Sequence, residues 1–164
     1  MNSNRQTSRA LHEEHRTNLE LLGRVELALA RVPRQNAGAD PDLRRLVAAL
    51  GQQITHDVER HFVFEEEELF SRMADAGDGD VAGLLVEEHD AIREVAAELM
   101  PLVTAAAEGT LDDEGWQALS RGALELTERQ IAHIQKEEMM LLPLLDDLLD
   151  DDIDGQLAMD YTTA

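Results

Sequence analysis

The chain has 164 residues, 43% of them apolar, which is enough for one buried core and too apolar for a disordered chain. It has no cysteine, so disulfides, thiolate zinc sites and thiol catalysis are excluded, and any metal must be held by nitrogen and oxygen. A formal charge of −21 repels nucleic acid and anionic membrane and attracts cations.

Aromatic residues are 3% of the chain while Ala, Leu, Glu and Arg abound, which favours helix over sheet. A first helix is predicted from about Arg5 to Arg31, with Ser3 and Gln6 as a capping box. Its inner stripe is Leu11, His15, Asn18, Leu22, Val25 and Leu29, and Pro33 with the loop 34–39 ends it. A second helix starts with Asp40 as N-cap and Pro41 in the first turn. Its stripe is Val47, Leu50, Ile54, Val58, His61, Glu65 and Leu69, and it stops near Gly77. A third begins around Asp80 with the stripe Leu85, His89, Ile92, Ala96, Leu99 and Val103; Pro101 predicts a kink or an early end, and Glu108-Gly109 reads as the exit. A fourth starts at Asp112 or Asp113, acids suited to the positive end of the dipole. Its stripe is Leu119, Ala123, Leu126, Gln130, His133, Glu137, Leu141 and Leu144, with a kink or break predicted at Pro143. Residues 150–164 are acidic and contain a glycine, and read as a mobile tail or at most a short docked segment. The expected fold is all-α: an up-down-up-down four-helix bundle over 1–149, then the tail 150–164. Residues 1–10 hold no apolar signal segment and no apolar run approaches membrane-spanning length, so a cytoplasmic location is expected.

One stretch occurs twice. His61 is followed by Glu65, and His133 by Glu137, a spacing that puts both side chains on one helical face about a turn apart. A shorter repeat precedes each copy: Glu13-Glu14-His15 and Glu87-Glu88-His89. The matching residues stand 74 positions apart (15 to 89) and 72 apart (61 to 133, 65 to 137), which describes a duplicated two-helix unit. His15, His61, His89 and His133 fall on the apolar seams of four different helices, and Glu65 and Glu137 share those seams. Buried carboxylates without a partner are costly and drift toward protonation, and a cation at the bundle axis removes that cost. Each half offers two His and one Glu, a set that suits iron and leaves positions open. Two such halves make a dinuclear centre in which each Glu could bridge both ions, completed by an oxide, hydroxide or water. Zinc is chemically possible with these donors, and a metal-free structural bundle is the plain alternative.

Other residues read as ordinary. His12 reads as exposed, and His56, about 140° around the helix from His61, as surface. Glu66 to Glu68 and Glu138 read as solvated, although Glu138 competes with Glu137 as a donor. Met73, Met100, Met139 and Met140 read as core fillers, and Trp116 and Tyr161 as packing residues. Phe62, Phe64 and Phe70 read as packing or as lining the mouth of the site.

Taken together, Glu14-His15, His61-x3-Glu65-Glu66, Glu88-His89 and His133-x3-Glu137-Glu138 resemble the hemerythrin-like HHE cation-binding family over residues 9 to about 145. The resemblance implies a non-haem di-iron centre: His15 and His61 on one iron, His89 and His133 on the other, Glu65 and Glu137 bridging, with two iron ions bridged by oxide or hydroxide. Oxygen-carrying hemerythrins have a His-x3-His pair on the third helix. Here Arg93 follows His89 at that spacing and Leu85 precedes it, which leaves an open position on each iron. That is closer to the mycobacterial-type proteins with catalase-like activity and to the proteins that repair iron centres after nitrosative stress; the latter carry a cysteine-containing domain. The expected function is binding of or reaction with hydrogen peroxide, oxygen or nitric oxide, catalase-like or stress-protective, with a sensor, store or carrier without turnover and an iron-centre repair protein as alternatives. Partners are a small diatomic or peroxide ligand, with neither nucleic acid nor membrane.

Overall fold

Residues 4–163 are described by a computed structural model. They are helical throughout, with no strand among the described residues. Helix α1 is Gln6–Arg31. Helix α2 spans 41–73, starting as the α-helix Pro41–His56 and continuing through π-helical turns at Asp57–His61 and Glu65–Phe70. Helix α3 is Gly79–Glu108. Helix α4 spans 113–141, its α-helical part Asp113–Lys136 running into a π turn at Glu137–Leu141. Helix α5 is Asp151–Thr163.

The ends follow local chemistry. Asp40 accepts from the Leu43 N–H at 2.9 Å and Asp112 from the Gly115 N–H at 2.7 Å, each satisfying a donor that the first turn leaves orphaned. Gly77 and Gly109 leave the helices at φ 102° and 73°, conformations that side chains disfavour. The capping residue expected at Ser3 lies outside the described residues. Pro101 sits exposed, and α3 runs on to Glu108, so the early end expected there does not occur. Pro143 does interrupt: Leu142–Leu144 is a 3₁₀ turn directly after α4.

Packing closes a ring. α1 lies against α2 and α4, and α3 against the same two. Gly51 lets α2 approach α3, since a Cβ there would meet Val103 Cγ1 at 2.9 Å. All residues of the four predicted stripes are buried except Leu29, Val58 and Leu144, which are half-buried. Two apolar clusters result. One gathers Leu22, Leu50, Ile54, Ile92, Leu99, Leu126 and their neighbours. The other gathers Leu11, Leu69, Leu85, Leu141, Leu145 and Leu157 among others. Along every helix of the ring, the seam histidine falls between a residue of one cluster and a residue of the other. Met73 is buried as expected, but Met139 and Met140 are not core residues: they are 78% and 39% exposed, on the outer face of the π turn. No helix among the described residues is long and apolar enough to cross a membrane.

The region read as a mobile tail or at most a short docked segment forms α5, docked on α1. α1 has no side-chain cap of its own, its N-cap position being Arg5. Asp154 of α5 supplies one, accepting from the Gln6 N–H at 2.8 Å and the Thr7 N–H at 2.9 Å. Leu157 and Tyr161 bury into the second cluster, and Arg60 of α2 donates to the Tyr161 carbonyl at 2.6 Å. Replacing a capping acid by alanine costs about 1 kcal/mol. Asp154→Ala is therefore expected to lower unfolding stability by about that amount, measured by urea denaturation, and to speed proteolytic cleavage within 150–163. An unchanged midpoint and cleavage pattern would show that the cap does not hold α5.

Candidate metal centre

Three π turns fall at the site. Residues 57–61, 65–70 and 137–141 contain or abut His61, Glu65 and Glu137. A π turn inserts an extra residue per turn, so neighbours in sequence can both face inward. His61 and Phe62, Leu69 and Phe70, and Leu141 and Leu142 are all such buried pairs.

All six residues singled out in the sequence meet in the interior. Their donor atoms form two sets of four, His15, His61, Glu65, Glu137 and Glu65, His89, His133, Glu137, with the atoms of each set within 4.8 Å of one another. Both glutamates belong to both sets and are 0% exposed. The Nε2 atoms face the carboxylates: His61 to Glu65 at 2.8 Å, His133 to Glu137 at 2.7 Å, His15 to Glu137 at 3.1 Å. His89 Nε2 lies between them, 3.6 Å from Glu65 and 3.4 Å from Glu137. Yet Nε2 of His15, His89 and His133 and all four oxygens of Glu65 and Glu137 have no aligned hydrogen-bond partner. Unpartnered buried polar atoms are rare and costly, and seven in one place, all with lone pairs directed into a shared space, fit a metal ion.

The outer ring nitrogens are held by a second set of glutamates, in a cycle. Glu14 of α1 accepts from His61 Nδ1 of α2 at 2.6 Å. Glu66 of α2 accepts from His89 Nδ1 of α3 at 3.2 Å. Glu88 of α3 accepts from His133 Nδ1 of α4 at 2.9 Å. Glu138 of α4 accepts from His15 Nδ1 of α1 at 2.8 Å. A carboxylate has no proton to give, so each Nδ1 carries a hydrogen, and in the neutral ring Nε2 is the nitrogen with a lone pair for the interior. Glu66 and Glu138, expected to be solvated, are half-buried members of this cycle. Glu137, not Glu138, carries its carboxylate into the cluster. The signal was in the repeat: each supporting acid directly precedes a seam His or follows a seam Glu.

Further corrections concern the margin. His12, expected exposed, is half-buried with Nδ1 3.0 Å from Glu138. His56, expected on the surface, is half-buried with Nε2 3.0 Å from Glu14. Tyr161, expected to pack, also donates its hydroxyl to Glu14 and lies 3.2 Å from His61 Nδ1. Phe62 stacks on His89 with centroids 3.9 Å apart. Asp57, absent from the predicted stripes, is buried and accepts from the amides of Asn18, Gln53 and Gln130.

Charge in this interior is shared rather than cancelled. Burial disfavours a charged His15, but the adjacent carboxylates of Glu137 and Glu138 outweigh it and raise its pKa to about 9. Burial likewise opposes charge on His133, and Glu137 again prevails, to about 9. Burial and the neighbouring charge of Glu137 push Glu65 up. Burial would raise Glu137 too, but the facing imidazoles, His133 first, hold it well below the usual carboxylate range. Burial also works against ionised Glu14, and His61 overcomes it, bringing Glu14 down to about 2.

A closed helical ring around convergent imidazole and carboxylate donors defines a protein built to hold a cation. The hemerythrin HHE cation binding domain family matches residues 6–145, and the chain belongs to that family. No curated protein matches the chain.

The pKa shifts carry a sign. His15 and His133 are raised above 6.5 in the folded protein, so without metal their contribution to stability is complete below pH 6.5 and is lost as pH rises through 9. The chelator-treated protein is expected to show a falling thermal midpoint between pH 6.5 and 9. Metal binding displaces those protons, so metal-loaded protein should lose this fall. A flat profile for the metal-free protein would show that these rings take up no extra protons on folding.

Proposed function

We propose that the chain is a non-haem di-iron protein that binds or reacts with a small ligand, hydrogen peroxide, oxygen or nitric oxide, in the cytoplasm. The ring of α1 to α4 is read as an up-down-up-down four-helix bundle, with α5 an addition outside it. His15 and His61 would hold one ion, His89 and His133 the other, and Glu65 and Glu137 both. The observation that carries this reading is the set of seven unpartnered buried donor atoms around one shared space.

Bound irons would supply Lewis acidity and redox equivalents. The chain's own residues do the rest. The four supporting glutamates fix ring orientation and tautomer. The two apolar clusters seal the site along the helix axes and keep bulk water out. A cavity of about 10 Å³ adjoins the donors, bounded by Asn18, Asp57, Phe62, Gln130 and Ile134. That is about the room one water needs, which favours a ligand of one or two heavy atoms. Asp57, Asn18 and Gln130 give that space a polar wall. Burial raises the Asp57 carboxyl above its usual range, which favours holding a proton there.

Purified protein is expected to contain about two irons per chain, and the ferric form to evolve oxygen from hydrogen peroxide. No turnover, with a stable spectral shift on adding oxygen or nitric oxide, would favour a sensor or carrier. A colourless protein free of metal would overturn the proposal. Glu137→Ala is expected to remove at least half of the iron while far-ultraviolet circular dichroism keeps its helical form. Iron unchanged in that variant would remove Glu137 from the donor set.

A further inference from the structure

The donors are duplicated evenly, but the groups behind them are not. Glu66, which holds His89, is gripped by the Arg93 guanidinium at 3.1 and 2.5 Å. Glu88, which holds His133, is paired with the Lys136 ammonium. Both are permanent cations, and Lys136 is the only lysine in the chain. On the other side, Glu138, which holds His15, meets His12 at 3.0 Å. Glu14, which holds His61, meets His56 at 3.0 Å and the Tyr161 hydroxyl. An imidazole and a phenol carry no fixed charge.

We propose that Arg93 and Lys136 make the two halves of the centre unequal, so that the first divalent cation to enter settles at His15 and His61. This rests on the metal-binding reading above. A carboxylate behind an imidazole raises the basicity of the ring nitrogen that faces the metal. A cation on that carboxylate draws its charge away, which makes His89 and His133 the poorer donors. The same two cations also repel an incoming ion directly, through a partly buried region where charges are weakly screened. Glu65 and Glu137 serve both halves and cannot discriminate. The preference is therefore assigned to the outer partners, with Arg93 and Lys136 acting as positioning residues for charge, through the glutamates and directly.

The test is titration of the metal-free protein with cobalt(II), followed by the paramagnetic shift of the assigned histidine N–H resonances. Mutual repulsion separates two binding steps in any ion pair, so the step count decides nothing; the order of filling does. At half an equivalent the resonances of His15 and His61 are expected to shift first, with those of His89 and His133 following in the second equivalent. In the double variant Arg93→Met, Lys136→Met the preference is expected to fall about tenfold, so that both halves fill together. Lys136→Arg keeps the charge and should keep the order. Lys136 is part exposed, so Lys136→Met alone leaves the packed core in place and should by itself weaken the preference. Simultaneous filling in the parent protein, filling of His89 and His133 first, or an order that survives the double variant would each overturn the inequality while leaving metal binding intact. A parent protein that takes up no cobalt would overturn the metal-binding reading and this one with it.

Discussion

Two carboxylates facing each other in a buried interior are the constraint on which the molecule depends. Moving one such charge from water into a medium of low dielectric costs about 20 kcal/mol in the idealised limit. Glu65 and Glu137 have no lysine or arginine beside them and no aligned hydrogen bond on any of their four oxygens. Positive charge must come from elsewhere. In the bare protein the imidazoles provide it, which is why His15 and His133 hold protons to about pH 9. A bound cation can take over that role and return the imidazoles to the neutral, lone-pair form. On the proposed reading the same residues would serve as buried ion pairs without metal and as ligands with it.

The cycle of supporting glutamates turns this local constraint into a property of the whole ring. Each helix from α1 to α4 carries one histidine into the centre and one glutamate that fixes the histidine of the next helix. The last, Glu138, returns to His15 and closes the loop. No pair of helices can assemble the site alone, and a shift of one helix disturbs two histidines. Such interlocking fixes helix register more strictly than apolar packing does, because a hydrogen bond to a charged group is directional and costly to leave unmade. The apolar clusters above and below supply most of the burial.

Much of this was legible in the sequence. The seam residues declared themselves by period and by repetition, and the six inward donors meet as expected. The N-caps at Asp40 and Asp112 and the exit at Gly109 are local chemistry, readable from a few neighbouring residues. What escaped is non-local or departs from the ideal period. The π turns shift the register around Glu65 and Glu137, so Met140, which a 3.6-residue repeat puts on the seam beside His133, rotates outward, while Met139 faces away from Glu137 on either period. Glu66 and Glu138 stand one position outside the seam, where an acidic chain ordinarily meets water, and only the packed neighbour reveals their partner. The fifth helix was hidden because its anchors lie far away in sequence: Asp154 reaches the start of α1, and Tyr161 reaches Glu14. Its own residues are too acidic and too weakly amphipathic to announce a buried face.

The same anchors border the outer surface beside the centre. Glu13, Glu14, Thr17, Gln53 and His56 line a surface depression between α1 and α2, and of these Glu14 also borders the internal cavity. Glu14, half-buried, thus stands between the depression and the cavity, beside His61. Tyr161 and His56 hold that carboxylate from two sides, so it cannot swing freely. The ends of the ring are closed by Leu, Ile and Phe side chains, and Phe62 and Phe70 cover His89 with centroids 3.9 and 5.3 Å away. Opening either end would break apolar packing across several helices. Displacing Glu14 breaks only hydrogen bonds, and the freed carboxylate regains hydration at the surface. Among the described residues Glu14 is thus the one that lines both this depression and the cavity, and α5 helps to hold it there through Tyr161.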